Sequence, residues 1–250
     1  MKTAAALAIG DELLSGRTRD ANVHHLAGWL TERGVALKEA RMVADDQDAI
    51  VEAVRALSAR HDYVFTSGGI GPTHDDITAE AIAKAFNQPF TEHPEIIRLM
   101  EAWYSAQGEE LTPARRRMAM TPAGAELIRN KETGAPGFAV ENVFILAGVP
   151  SIFRSMLDAL EDRVARGPAL TSLAITARGV PESRLAEQLA AVQDALNGVQ
   201  IGSYPIDDAE KGVTVVARSE RADLAERAIE AVEAAMRAAG VEPVRGDRKG

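Results

Sequence analysis

The 250-residue chain contains no cysteine. Disulfide frameworks, thiolate zinc sites and a cysteine nucleophile are thereby excluded. It also lacks any run of about 18 consecutive apolar residues, so no membrane span is expected. The short apolar stretch at residues 4–9 stops at Gly10-Asp11-Glu12 without a convincing cleavage site, and reads as a first core strand rather than a signal peptide. Positive charge is in short supply: 28 Lys and Arg stand against 37 Asp and Glu, a formal net charge of −9. That balance argues against broad nucleic-acid binding. No internal repeat is visible. The expectation is a soluble cytoplasmic protein with neither a membrane nor a nucleic acid as partner. The length suits one large domain, or a main domain of about 170 residues with a small appendage.

What the chain does have is alternation. Strand-like runs at 4–9, 35–43 and 62–66 are interleaved with helical patterns at 18–33, 47–60 and 77–87. Val23, Leu26, Ala27 and Leu30 share one helical face, as do Ile50, Val51, Val54 and Leu57. Strand–helix alternation predicts a parallel sheet with helices on both faces. Such sheets bind ligands beyond the carboxyl ends of their strands. The loops to inspect therefore follow Ile9, Val43 and Thr66. Further on, residues 91–123 read as helical and 130–137 as a polar loop. A strand at 142–146 leads into Gly148-Val149-Pro150 and a helix near 151–163.

Gly167-Pro168 marks a boundary, giving expected domains 1–167 and 168–250. The second part reads as strand 170–177, helix 182–196, strands 199–204 and 212–218, and helix 221–239. This β-α-β-β-α order predicts a small α+β unit. It shows no G-x-x-G loop and no aromatic stacking pair, so RNA binding is not expected. A structural or oligomer-forming role is, and with it a homo-oligomer. Gly202-Ser203-Tyr204-Pro205 reads as a turn.

The loops at the strand ends carry the chemistry. The first holds Gly10-Asp11-Glu12, the second Asp45-Asp46, and the third Thr66-Ser67-Gly68-Gly69-Ile70-Gly71-Pro72-Thr73-His74-Asp75-Asp76-Ile77-Thr78. Three glycines in four residues let a backbone approach a ligand and present its N–H groups. A helix N-terminus just beyond adds partial positive charge. Two aspartates there would repel a bare phosphate, which points to a phosphorylated ligand bound with a cation. Asp75 or Asp76 can also cap the following helix, but one cap needs one aspartate. Asp76, helped by Asp45, is the candidate for a hard divalent cation, Mg²⁺ or similar. Asp46 reads as a solvated or capping neighbour, and Asn22 as a residue that fixes a loop. Asp11, Glu12 and Thr73 are either polar turn residues or ligand contacts. His74 reads as a surface histidine. Arg115-Arg116-Arg117 is a solvated face, or one arginine of it reaches the phosphate cleft.

Gly10-Asp11-Glu12-Leu13-Leu14-Ser15-Gly16, Asn22, Asp45-Asp46 and the 67–78 loop together resemble the MoaB/Mog-like molybdopterin-binding superfamily, and most closely the N-terminal part of CinA-type proteins. A related domain fused to some FAD synthases is also similar. The resemblance covers about residues 3–165 and implies a three-layer α/β domain with a parallel-dominated sheet, followed by the small α+β domain. It implies a short form without the amidase domain of longer CinA proteins. By match to the motif, Asp76 takes the catalytic aspartate position and Asp45 the second acidic one. Ala135-Pro136-Gly137-Phe138 and Gly148-Val149-Pro150 match later cleft loops. Pro136, Gly137, Gly148 and nearby Lys131 accordingly join Gly68, Gly69, Gly71 and Thr73 as expected ligand-binding residues. Ala147, Thr133-Gly134 and Met118-Ala119 depart from the pattern on the substrate side. Three functions are open: metal-dependent pyrophosphohydrolysis of ADP-ribose-like dinucleotides, adenylyl transfer to molybdopterin, and a non-catalytic module that senses a nucleotide or assembles partners. The expected partner is a small nucleotide or pterin phosphate in each reading that binds a ligand.

Overall fold

The computed structural model describes residues 1–168, 170–206 and 211–246. The chain divides into two compact units, Met1–Gly167 and Pro168–Gly250. In the larger unit, strands β1 (Thr3–Ile9), β2 (Ala36–Val43), β3 (Tyr63–Ser67), β4 (Phe90–Glu92), β5 (Met120–Pro122), β6 (Glu126–Ile128), β7 (Gly137–Val140) and β8 (Val143–Leu146) occur with seven α-helices. The helices are α1 (Asp11–Leu14), α2 (Asn22–Glu32), α3 (Gln47–Ser58), α4 (Thr78–Ala85), α5 (Pro94–Ser105), α6 (Pro113–Arg116) and α7 (Pro150–Asp158).

The main sheet has the order β2-β1-β3-β8-β7-β6. Strands β2, β1, β3 and β8 are parallel, while β7 and β6 are added antiparallel. Strand β1 is apolar at every position from Ala4 to Ile9 and fully buried, as a central parallel strand covered on both faces must be. Its alternate residues feed two cores. Ala4 and Ala6 pack with Leu26, Leu30, Phe65, Phe144, Phe153 and Leu157, under α2 and α7. Ala5, Leu7 and Ile9 pack with Ile50, Val54, Leu57, Ile82 and Ile145, under α3 and α4. This is the expected three-layer α/β arrangement with a parallel-dominated sheet.

Several boundaries differ from the sequence expectation. Helix α2 begins at Asn22, not at 18, because Asp20 Oδ1 accepts the Val23 N–H at 2.9 Å and stops the helix there. Residues 91–123 are not wholly helical: α5 and α6 are bracketed by β4 and β5, which pair antiparallel, Phe90 with Pro122. Strand β7 begins inside the expected 130–137 loop, at Gly137.

The smaller unit comprises β9 (Thr171–Arg178), α8 (Ala186–Ala195), β10 (Val199–Ile206), β11 (Gly212–Ser219), α9 (Ala222–Ala238) and β12 (Val244–Arg245). It is the expected α+β unit with one short strand added. Its sheet, β10-β11-β9-β12, is antiparallel throughout. Ile175, Ala177, Val213 and Val215 from the sheet meet Ile229, Val232 and Met236 of α9 in its core. Gly202–Pro205 is not a turn but lies within β10, paired residue by residue with β11. Among the described residues no helix is long and apolar enough to cross a membrane.

Candidate functional site

Strand register assembles the site. Ile9 pairs with Val43, Ala8 with Ser67, and Ser67 with Leu146. Four parallel strands thus end level at one edge. The ladder is closed by Gly10 N–H donating to Val43 O at 3.1 Å and Gly68 N–H donating to Leu146 O at 3.1 Å. The loops that leave these strands share a cavity of about 620 Å³.

The glycine loop is held by contacts that exclude a side chain. Gly68 has φ of 111°, and a Cβ there would lie 2.3 Å from the Ile9 carbonyl oxygen. Gly69 has φ of 68°, and its Cβ would collide with Thr78 Oγ1 at 2.1 Å. Both conformations favour glycine strongly. Thr78, buried at the start of α4, fastens the loop. Its hydroxyl donates to Gly68 O at 3.0 Å and its N–H to Gly69 O at 3.0 Å.

Neither aspartate of the loop caps α4, whose N-cap is Ile77. Asp76 turns back instead. Its Oδ2 accepts the Thr73 N–H at 2.8 Å and also the Thr73 hydroxyl, and it lies against Gly71. The Thr73 hydroxyl also holds the Asp75 carboxyl below its ordinary value. His74 is 94% exposed at its side chain, with Nδ1 4.0 Å from Asp75 Oδ1. Across the cavity, Asp11 N–H donates to Asp45 Oδ2 at 3.0 Å, and Asp45 N–H donates back to Asp11 Oδ1 at 3.4 Å. Burial pushes the Asp45 carboxyl above its ordinary value. The Asp11 N–H opposes this, while the like charges of Asp11, Glu12 and Asp75 add to it. Asp46 caps α3 by accepting the Ala49 N–H at 2.8 Å. Asn22 is buried and donates to Ser67 Oγ at 2.8 Å and to Gly148 O at 2.7 Å, fixing two of the loops.

The cavity lining combines carboxylates with apolar side chains. Glu12, Asp45, Asp75 and Asp76 line it, beside Gly68, Gly69, Gly71 and Thr73. Tyr104, Met118, Val149, Ile152 and Met156 line it as well, with Pro136 and Gly148. No lysine, arginine or histidine lines this cavity among the described residues. Three expected ligand-binding residues lie outside its lining. Asp11 spends its carboxylate and N–H on the clasp with Asp45. Lys131 is exposed and is held through its backbone, N–H to Ser155 Oγ at 2.9 Å. Gly137 is buried in β7, where a Cβ would meet Ile145 O at 2.5 Å.

Tyr104 was not expected in the cavity. It comes from the last turn of α5 and carries the Arg115 guanidinium 4.0 Å over its ring. No loop motif marks it. The signal available was an aromatic ending a helix whose next segment returns to the sheet edge.

Among the described residues, no group of three or more His, Asp or Glu is placed to hold a metal ion by itself. The side-chain donors of charge lining the cavity are carboxylate oxygens, with His74 4.0 Å from Asp75 as the basic group beside them. That set suits a hard cation such as Mg²⁺, which takes one or two carboxylates, several waters and the oxygens of a bound phosphate.

The model of a family described as a probable molybdopterin binding domain matches residues 5–166. A second model, described as the middle domain of FAD synthase, matches residues 174–245. A CinA-like protein of Gemmatimonas aurantiaca is 35% identical over 212 residues, covering 80% of this chain and 50% of its own. A protein of Archaeoglobus fulgidus is 34% identical over 201 residues, covering 80% of this chain and 84% of its own. The chain thus spans about half the length of the CinA-like relative. Among solved structures, that of CinA from Thermoplasma acidophilum, described as of unknown function, aligns with a TM-score of 0.60 and 35% identity, over 65% of this chain and 97% of that one.

Proposed function

Since the chain belongs to the MoaB/Mog-like family of probable molybdopterin-binding domains and is CinA-like, we propose that it hydrolyses the phosphoanhydride bond of ADP-ribose-like dinucleotides with the help of a divalent cation. The observation that carries this reading is the composition of the cavity lining. Four carboxylates and a loop of close-packed glycines line it together with aromatic and aliphatic side chains, and no lysine, arginine or histidine lines it among the described residues. A ligand that joins a flat ring to linked phosphates satisfies both kinds of surface, provided a cation accompanies the phosphates.

In this reading the ring lies along Tyr104, Met118 and Ile152. The backbone N–H groups of the Gly69–Gly71 stretch hold phosphate oxygens. Asp76 and Asp45 hold the cation, Asp45 directly or through a water. Bound there, a divalent cation offsets charge on the phosphoanhydride oxygens and lowers the barrier to attack by water. The Thr73 N–H and hydroxyl fix the rotamer of Asp76, so that its remaining lone pairs are aimed before any ligand arrives.

The test is AMP release from ADP-ribose and from FAD by the purified protein with Mg²⁺, followed by chromatography. Release is expected from the wild-type protein, reduced about a hundredfold or more in Asp76→Asn, the size of loss typical of removing one charge-stabilising group. Absence of AMP with every dinucleotide and metal tried, or an Asp76→Asn variant as fast as wild type, overturns it. The description of the matching family favours a second reading, in which the same cavity binds molybdopterin in cofactor biosynthesis. That reading predicts molybdopterin binding and consumption of Mg-ATP without hydrolysis of dinucleotides.

A further inference from the structure

We infer that Arg117 is the fixed cation that meets the ligand's phosphates, a specificity-determining residue of the same cleft; the inference rests on the dinucleotide reading above. A second, smaller cavity of about 70 Å³ adjoins the main one and shares Ile70, Gly71, Asp76, Met118 and Pro136 with it. By volume it holds about two waters, or one phosphoryl group. Arg117 lines it, and no basic residue lines the larger cavity among those described.

The three consecutive arginines are not equivalent. Arg115 is bound to Glu109 and lies over the Tyr104 ring. Arg116 is held by Glu92 through two bonds, at 2.6 and 2.7 Å. The Arg117 side chain has no hydrogen-bond or ion-pair partner among the described residues, although Asp76 and Glu80 line the same small cavity. The short 3₁₀ turn Arg117–Ala119 anchors it from behind, since Ala119 is fully buried and Met118 faces both cavities. An unengaged guanidinium lining a cavity that Asp76 also lines is what a doubly anionic ligand needs. One cation shared by Asp45 and Asp76 is largely neutralised by those two carboxylates, and the phosphates keep excess charge. Arginine's planar fork meets two phosphate oxygens at once.

The experiment is calorimetric titration, in Mg²⁺ buffer, of wild type, Arg117→Ala, Arg117→Lys and Arg116→Ala with ADP-ribose and with adenosine. Arg117→Ala is expected to weaken ADP-ribose binding about tenfold or more, as loss of a charged hydrogen bond does, with adenosine binding unchanged. Arg117→Lys should recover part of the loss and Arg116→Ala should change neither ligand. A purely structural role would weaken both ligands together, and equal melting temperatures of wild type and Arg117→Ala would confirm that the fold is intact. Wild-type ADP-ribose affinity retained in Arg117→Ala overturns the inference. Should wild type itself fail to prefer ADP-ribose over adenosine, the dinucleotide reading falls, and Mg-pyrophosphate becomes the probe. Binding that Arg117→Ala abolishes sustains the inference on its own, and binding that is absent or unaffected ends it.

Discussion

The larger unit sends four parallel strands to one edge, so the loops after Ile9, Val43, Ser67 and Leu146 meet. In the smaller unit β11 lies between β9 and β10 and runs antiparallel to both, so the ends of neighbouring strands fall on opposite edges. The polar residues differ accordingly. The smaller unit has a cavity of about 330 Å³ lined by Arg218, Glu226 and Arg245, but Arg245 is already paired with Glu226 and with Glu233. The larger unit's cavity is lined by four carboxylates and, among the described residues, by no lysine, arginine or histidine. Charges that cancel within a unit describe how it holds together. Charges gathered and left uncancelled describe what it holds.

The same substitution placed in each unit should give the largest contrast. Gly68→Ala puts a methyl 2.3 Å from the Ile9 carbonyl at φ of 111°, and is expected to cost about 3 kcal/mol. Gly179→Ala, at φ of 74° with nothing within 4 Å, carries only the backbone penalty of about 1 kcal/mol. Urea unfolding of both variants measures the difference, and equal losses would mean that the close packing of the loop carries no strain.

A smaller effect separates the carboxylates. Asp45 binds its proton more tightly folded than unfolded because of its burial. Its contribution therefore favours the folded state below the ordinary carboxylate pKa and is lost as pH rises through the raised value. Asp223, held by Arg221, is shifted the other way. Its contribution is present above the ordinary value and is lost as pH falls through the lowered one. NMR titration of the side-chain carboxyls in metal-free buffer should show Asp45 above and Asp223 below the usual range. The stability of Asp45→Asn, compared with wild type, should improve towards neutral pH and show no advantage in acid. Asp45 titrating below Asp223 would reverse the comparison.

The smallest effect belongs to Glu226→Gln. Arg245 keeps Glu233, and exposed pairs contribute little. The unfolding midpoint should not move beyond the scatter of the measurement, whereas a clear loss would show that cancelled charges in the smaller unit are more than decoration.

The strand–helix alternation was readable because β1 and β3 carry short unbroken apolar runs, as buried parallel strands do, while α3 keeps one clean helical period. Strands β5 and β6 were not, since three residues are too few for a period to register and their pairing is supplied by distant chain. The acidic loops could be found in the sequence because parallel strands must deliver their C-terminal loops to one edge. The direction of Asp76 could not. A capping role was as good a local solution, and it lost because Thr78 gives its N–H to Gly69, while Asp76 is taken by Thr73. Tyr104 escaped notice because it arrives from an excursion of the chain that no loop motif announces, and Lys131, near a matching loop in sequence, is exposed and outside the cavity lining.

Asn22 remains as a mechanical element. One amide group, rooted in α2, grips the ends of both β3 and β8, so the gap between these two walls is gauged from a helix behind the sheet rather than from the walls themselves. That helix is in turn wedged by Trp29 standing edge-on to Phe65, with ring centroids 6.2 Å apart. The aperture offered to a ligand is thereby set by aromatic packing that no ligand touches, and a change there would widen or narrow both walls in step.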